Sequence, residues 1–273
     1  MVDKTLFVSD LDGTLLRSDQ SLSGYTVKTL NRFVREGMVF SYATARSYYT
    51  SSVVTRGLDA NIPVIVYNGT FILENGTGRR LLSHGFSDKE AEEILEIMTA
   101  GGVNPIVYSF VEGMERFFYC PNAINEATER FLKTRRGDGR ERTVEHPREL
   151  CVGEVFHFSA IDTPERLMPI YACLKERFPC VYYKESYSGE WWLEVHPKGV
   201  SKANAVLELK KLLGCSRVVC FGDGKNDVSM FEVSDECYAV DNAEPELKEI
   251  ATDVIADNNN DGVARWLERR FEV

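Results

Sequence analysis

Two short acidic corners hold the residues with which this sequence could do chemistry. The first is Asp10-Leu11-Asp12-Gly13-Thr14, and the second is Gly222-Asp223-Gly224-Lys225-Asn226-Asp227. Each directly follows an apolar run, Thr5-Leu6-Phe7-Val8 in one case and Arg217-Val218-Val219-Cys220-Phe221 in the other. Runs of that length fit strands buried on both faces, as in a parallel sheet. Ligands of open parallel sheets bind beyond the carboxyl ends of the strands. If both strands share a sheet, Asp10, Asp12, Asp223 and Asp227 converge at one edge. Like charges about 4 Å apart repel by about 4 kcal/mol at an effective dielectric near 20. A hard divalent cation relieves that repulsion, and Mg2+ takes carboxylate, water and phosphate oxygens. The histidines (His84, His146, His157, His196) show no metal-ligand spacing, so zinc is not indicated. Alone, the first corner also reads as a turn after a strand; the second corner favours a shared site.

The elements that must position these corners follow from the rest of the pattern. Further apolar runs, Met38 to Tyr42 and Val64 to Tyr67, also read as strands of the sheet. Helical spacing recurs at Val27, Leu30, Phe33 and Val34, and again at Ala203, Val206, Leu207, Leu209, Leu212 and Leu213. Strand then helix, repeated, predicts a doubly wound α/β domain with a parallel sheet. The middle of the chain differs. It predicts a helix over Asp88–Ala100, strands over Pro105–Phe110 and Arg116–Tyr119, and a helix over Ala123–Lys133. A polar stretch from Arg135 to Arg140 reads as a solvated loop. A strand over Val155–Ile161, a helix over Pro164–Phe178 and a strand over Val181–Lys184 follow. This paired-strand pattern predicts an inserted α+β domain. The expected division is a core of residues 1–82 and 189–273 around an insertion of residues 83–188, with hinges near Leu81–Phe86 and Ser186–Glu190.

Composition bounds the function. The chain has 273 residues, 32 basic and 42 acidic, for a net charge of −10. That excess weighs against a general nucleic-acid or anionic-membrane binder, while a local positive site still accommodates a small anion. No apolar stretch is long enough to span a bilayer. Met1-Val2-Asp3-Lys4 lacks the basic start of a signal peptide. The seven cysteines, with no CxxC, read as reduced thiols, which points to the cytoplasm. P-loop, GxSxG and HExxH templates are absent. Oligomeric state is left open, a monomer included.

The ordered corners resemble the first and fourth motifs of the haloacid dehalogenase-like (HAD) phosphohydrolases. Ala43-Thr44-Ala45-Arg46 stands where that family has its Ser or Thr, and Lys198-Gly199-Val200-Ser201-Lys202 where it has its basic residue. One departure is Ala45 where many relatives have Gly, which removes no functional group. Val66-Tyr67-Asn68-Gly69-Thr70 and the length of the insertion resemble the Cof-type branch of sugar-phosphatase-like enzymes. The resemblance implies a Rossmann-like core with a cap that closes over a small phosphorylated metabolite, a sugar phosphate first of all. It implies Mg2+, with Asp10 as nucleophile and Asp12 as general acid/base and, through its carbonyl, a metal ligand. Asp223 completes the ligands and Asp227 acts from behind them. Lys202 and Thr44 meet the phosphoryl group.

Plainer readings stand beside these roles. Thr44 also reads as a cap for a helix starting near Arg46, Lys202 as solvated surface and Asn226 as a turn residue rather than a phosphate donor. Arg46 either helps bind substrate or pairs with a nearby acid. Asn68-Gly69 either faces substrate or turns a hairpin into Phe71-Ile72-Leu73. His196 reads as structural. A phosphotransferase or phosphomutase would use the same aspartyl-phosphate. A non-catalytic regulator is disfavoured because Asp10 and Asp12 are both present.

Overall fold

The computed structural model describes residues 4–59, 62–184 and 189–271. The chain divides into two compact units, Met1–Ser83 with Val200–Val273, and His84–Gly199.

The first unit is built on a parallel sheet. Among the described residues its strand order is Asp253–Ile255, Glu236–Val240, Arg217–Gly222, Thr5–Ser9, Val39–Tyr42. Leu6 and Val8 on one strand and Val218 and Cys220 on the next are fully buried, which is why these runs are apolar throughout. Thr5–Ser9 lies directly beside Arg217–Gly222, with Thr5 opposite Arg217 and Ser9 opposite Phe221. Asp10 continues the pairing, its N–H donating to the Phe221 carbonyl at 2.9 Å. From this central pair the chain proceeds to opposite sides of the sheet. The crevice at its carboxyl end is where such folds bind ligands. Phe7 packs against Phe271 and Trp266 of the last helix, Gly262–Phe271.

One strand expected in this sheet stands beside its Val39–Tyr42 edge but has its ladder in a second, antiparallel sheet. Pro63–Val66 pairs antiparallel with Phe71–Glu74, which pairs antiparallel with Arg80–Ser83. Pro63–Val66 borders the parallel sheet through a parallel bridge between Ala43 and Ile65 and through the Ser41 hydroxyl, which donates to the Pro63 carbonyl at 2.6 Å. The run is apolar because Val64, Ile65 and Val66 are fully buried, and burial does not distinguish a parallel from an antiparallel neighbour.

The second unit has an antiparallel sheet closed at one edge by a parallel pair. Its order is Cys180–Lys184, Trp191–Val195, Glu154–Asp162, Ile106–Val111, Met114–Tyr119, Glu141–Thr143. Helices Asp88–Ala100 and Pro164–Leu174 place Ile94, Met98, Leu167 and Ile170 in one core with Val107, Phe158 and Leu193. Asp88–Ala100 starts where predicted because Ser87 and Glu90 form a capping box. The helix predicted from Ala123 starts at Glu126, since the Asn125 side chain accepts from the Thr128 N–H. Trp191–Val195 pairs with strands on both sides, so residues 189–199 belong to this unit and not, as expected, to the core. Of the expected second hinge, residues 186–188 lie outside the described residues. The polar stretch is not all solvated. Arg140 is buried between Asp138 and Glu115. His196 is also buried, its ring centroid 4.9 Å from that of His157. No described helix is long and apolar enough to cross a membrane.

Candidate active site

The first corner turns sharply at the strand end. Leu11–Leu15 forms a wide turn closed by the Leu16 N–H donating to the Leu11 carbonyl at 2.8 Å. Gly13 makes the turn with φ 78°, a conformation that penalises any Cβ. A Cβ there would also overlap the Asp223 carboxylate, so glycine admits the second corner to the first. Thr14 Oγ1 then donates to Asp223 Oδ1 at 2.7 Å, across 209 residues of sequence.

The second corner is held from within. Asp227 Oδ2 accepts from the backbone N–H groups of Asp223 at 3.0 Å and Gly224 at 3.1 Å. Its other oxygen, Oδ1, accepts from Lys202 Nζ at 2.7 Å, and the same ammonium donates to Asp10 Oδ1 at 2.5 Å. Lys202 is the first residue of the helix Lys202–Leu212, which starts there because Ser201 Oγ accepts from the Asn204 N–H. Lys202 is 2% exposed, so its reading as solvated surface is overturned.

Charge is unevenly balanced in this cluster. Burial alone would lower the Lys202 pKa, but Asp10 and Asp227 outweigh it and hold the ammonium charged well above its ordinary range. Asp10 is pushed the other way from a carboxylate's habit. Burial raises its pKa well above the ordinary value, Asp227 and Asp223 add to this, and Lys202 opposes it. Burial also pushes Asp223 up to about 6, against the hydrogen bond from Thr14. Asp10, Asp223 and Asp227 each bring a carboxylate oxygen within 4.8 Å of the others. Three carboxylates against one ammonium, with two of the acids resisting ionisation, is a deficit that a cation would correct. The donor set is all oxygen and suits a hard metal ion.

Asp12 departs from this group. Its carboxylate accepts both Arg46 Nε at 2.7 Å and Arg46 Nη2 at 2.5 Å, while Nη2 also reaches Gln20 Oε1 at 2.8 Å. Of the two readings of Arg46, pairing with a nearby acid is the one present. Thr44 is fully buried at the end of the Val39–Tyr42 strand. Its N–H donates to the Ile65 carbonyl at 3.0 Å, which leaves the hydroxyl as the Thr44 group able to donate to a phosphoryl. Thr44 is not a helix cap, because the helix starts at Tyr48 with Ser47 in that role. The Asn68 N–H donates to the Thr44 carbonyl at 2.9 Å, and its side-chain Oδ1 is buried without a hydrogen-bond partner. The hairpin reading of Asn68-Gly69 is realised, since Val66 pairs with Phe71 across it. Asn226 is exposed on the turn Lys225–Asp227. Sequence reasoning missed Thr14 and Gln20. Thr14 stood inside the first motif and could have been read there, whereas nothing local marks Gln20.

A profile of the haloacid dehalogenase-like hydrolases matches residues 7–267, and the chain belongs to that family. It is similar to the Bacillus subtilis 5-amino-6-(5-phospho-D-ribitylamino)uracil phosphatase YitU, with 25% identity over 98% of each chain. It is likewise similar to the phosphatase of the same description, YwtE, from that organism, with 26% identity over 95% of this chain and 96% of the other. Among solved structures, TM0651 of Thermotoga maritima shares the fold with a TM-score of 0.76 and 26% identity, covering 97% of each chain. With these relatives, the chain is a phosphoric monoester hydrolase.

Proposed function

We propose that the chain hydrolyses small phosphorylated metabolites in a Mg2+-dependent reaction through an aspartyl-phosphate on Asp10. The observation that carries this reading is the buried Lys202 ammonium bridging Asp10 and Asp227 with Asp223 alongside. Asp10 Oδ1 is held by Lys202, which leaves Oδ2 to attack phosphorus. As the bond from Oδ2 to phosphorus forms, the bond to the leaving oxygen breaks, and Asp12 supplies the proton that oxygen takes. Asp12 then accepts a proton from the water that attacks the phosphoenzyme, and inorganic phosphate leaves. Lys202 and the Thr44 hydroxyl meet the charge spread over the phosphoryl oxygens. Asn226 is a further donor from the exposed turn.

Asp10, Asp223 and the Asp12 carbonyl are the groups proposed to hold Mg2+, which when bound offsets the repulsion between nucleophile and phosphate. Asp227 already has both oxygens engaged, which supports a role in fixing Lys202 and the corner rather than direct coordination. Arg46 holds Asp12 at rest and must yield at least one bond when Asp12 turns to a leaving group. Asn68 Oδ1, a buried acceptor without a partner, suits a hydroxyl or N–H of the ligand. A phosphorylated polyol or sugar is the proposed substrate class. The 5-phospho-ribityl compound named for the Bacillus relatives supports that choice. The inserted unit is proposed to select the leaving group.

Asp10→Asn tests the reading. The variant should fold and still bind Mg2+, yet release no phosphate from a panel of sugar and polyol phosphates. Mg2+-dependent turnover surviving in Asp10→Asn would remove Asp10 as the nucleophile. Phosphate release without any added acceptor separates hydrolysis from transfer.

A further inference from the structure

Three consecutive residues after the Pro63–Val66 strand have left-handed backbones, Tyr67 at φ 50°, Asn68 at 53° and Gly69 at 104°. That conformation is sterically disfavoured for Tyr and Asn, and it persists only where surrounding structure imposes it. Here the imposing contacts are visible. The Tyr67 N–H donates to the Arg46 carbonyl at 3.0 Å and the Asn68 N–H to the Thr44 carbonyl at 2.9 Å. Both the Thr70 N–H, at 3.1 Å, and the Thr70 hydroxyl, at 2.8 Å, donate to the Tyr67 carbonyl. One side of the corner is therefore tied to the loop that carries Thr44.

The other side meets the start of the lysine helix. A Cβ on Gly69 would overlap the backbone carbonyl of Ser201 and come within 3.1 Å of Ala205 Cβ. That Ser201 carbonyl accepts the first bond of the helix, from the Ala205 N–H at 3.1 Å. The next residue is Lys202. Moving the carbonyl would open the first helical turn and shift the root of the side chain that reaches Asp10 and Asp227.

We propose that Gly69 is a positioning residue for Lys202: with no side chain, it seats the Ser201 carbonyl that starts the helix delivering the ammonium to Asp10. The corner thus couples the Thr44 loop to the Lys202 helix and sets one against the other. This inference rests on the proposed role of Lys202, and the experiment separates the two.

The test compares Gly69→Ala with Gly37→Ala in the full chain. Gly37 has nearly the same φ, 102°, but a Cβ there meets open space. Both variants place a Cβ on a residue with φ near 100°, and only one strikes Ser201. With p-nitrophenyl phosphate and Mg2+, Gly69→Ala should lose about 100-fold in kcat with a much smaller change in KM, the scale of a small displacement of a reacting group. Gly37→Ala should keep the parent kcat. Hydrogen exchange of the first turn of the Lys202–Leu212 helix should quicken in Gly69→Ala alone. Equal kcat in the two variants, or unchanged exchange at that turn, overturns the proposal. Lys202→Met run in parallel identifies which idea has failed. If Lys202→Met keeps turnover, the role of Lys202 is wrong and this inference falls with it. If Lys202→Met is inactive while Gly69→Ala matches Gly37→Ala, only the role of Gly69 is wrong. Should Gly69→Ala not fold, Ala205→Gly and Ala203→Gly probe the contact from the helix side. Each removes one alanine from the same turn, and Ala205 is the one that a side chain on Gly69 would approach. A larger loss of kcat in Ala205→Gly supports the proposal, and equal losses overturn it.

Discussion

Asp10 and Asp12 leave the same strand and enter opposite surroundings. Asp10 is 5% exposed and shares a lysine that is itself 2% exposed with a fully buried Asp227. Asp12 has a side chain 48% exposed and pairs with Arg46 in a two-pronged contact at the surface. In the buried region a lost partner is hard to replace, and removing one member of such a pair costs about 3–5 kcal/mol. At the Arg46–Asp12 pair, with side chains 20% and 48% exposed, water reaches the partners, and the contribution is on the order of 1 kcal/mol. The contrast assigns each region a kind of work. A nucleophile must be fixed in place, which the buried ammonium does. A group that gives and takes protons must change partners, which a half-exposed pair permits.

The sharpest way to break the contrast is Lys202→Met. It leaves Asp10, Asp223 and Asp227 without their cation, so denaturant melts should show a loss of about 3–5 kcal/mol. Phosphatase turnover should fall about 10²–10³-fold, the range seen when one charge-stabilising donor is removed. A variant as stable as the parent would mean that water enters the cluster and that the two regions do not differ.

Metal depletion comes next in size. If the carboxylates hold Mg2+ only in the folded chain, saturation at 100 times the dissociation constant adds about 2.7 kcal/mol of stability. Melts with Mg2+ and with chelator should differ by that order in the parent, and by much less in Asp223→Asn. Superimposable melts of the parent in the two conditions would deny the cluster a cation.

The smallest expected effect lies on the arginine side. Arg46→Ala should change stability by less than about 1 kcal/mol, and high salt should erase the difference. Its kinetic signature should fall on poor leaving groups. Alkyl phosphates need Asp12 held in register and should slow several-fold, whereas p-nitrophenyl phosphate should barely respond. Equal slowing of both substrates would place Arg46 on the phosphate itself.

Much of this arrangement was legible along the chain. The strands before both acidic corners announced themselves as apolar runs, and the Asp88–Ala100 helix was found where the pattern predicts it. Other features depended on partners that no local pattern names. Val64-Ile65-Val66 is apolar because it is buried, and burial is silent about which strand lies alongside. Trp191–Val195 joined the second unit because two strands of that unit flank it. Arg140 sits in a polar stretch that looked solvated, and it is buried because Asp138 and Glu115 satisfy its guanidinium.

By itself the sequence determined the chemistry on offer: hard oxygen ligands after buried strands, a lysine opening a helix, and glycines where the chain must turn. Those are local properties, set by residue type and by neighbours a few positions away. Only the tertiary structure decided which acid received which cation. Lys202 and Asp10 are 192 residues apart, and Arg46 and Asp12 are 34 apart. Contacts at such separations arise when strands align and a left-handed glycine lets one corner enter the other. The same backbone turn that brings Asp223 beside Asp10 leaves Asp12 at the surface, so one pair of carboxylates serves two environments.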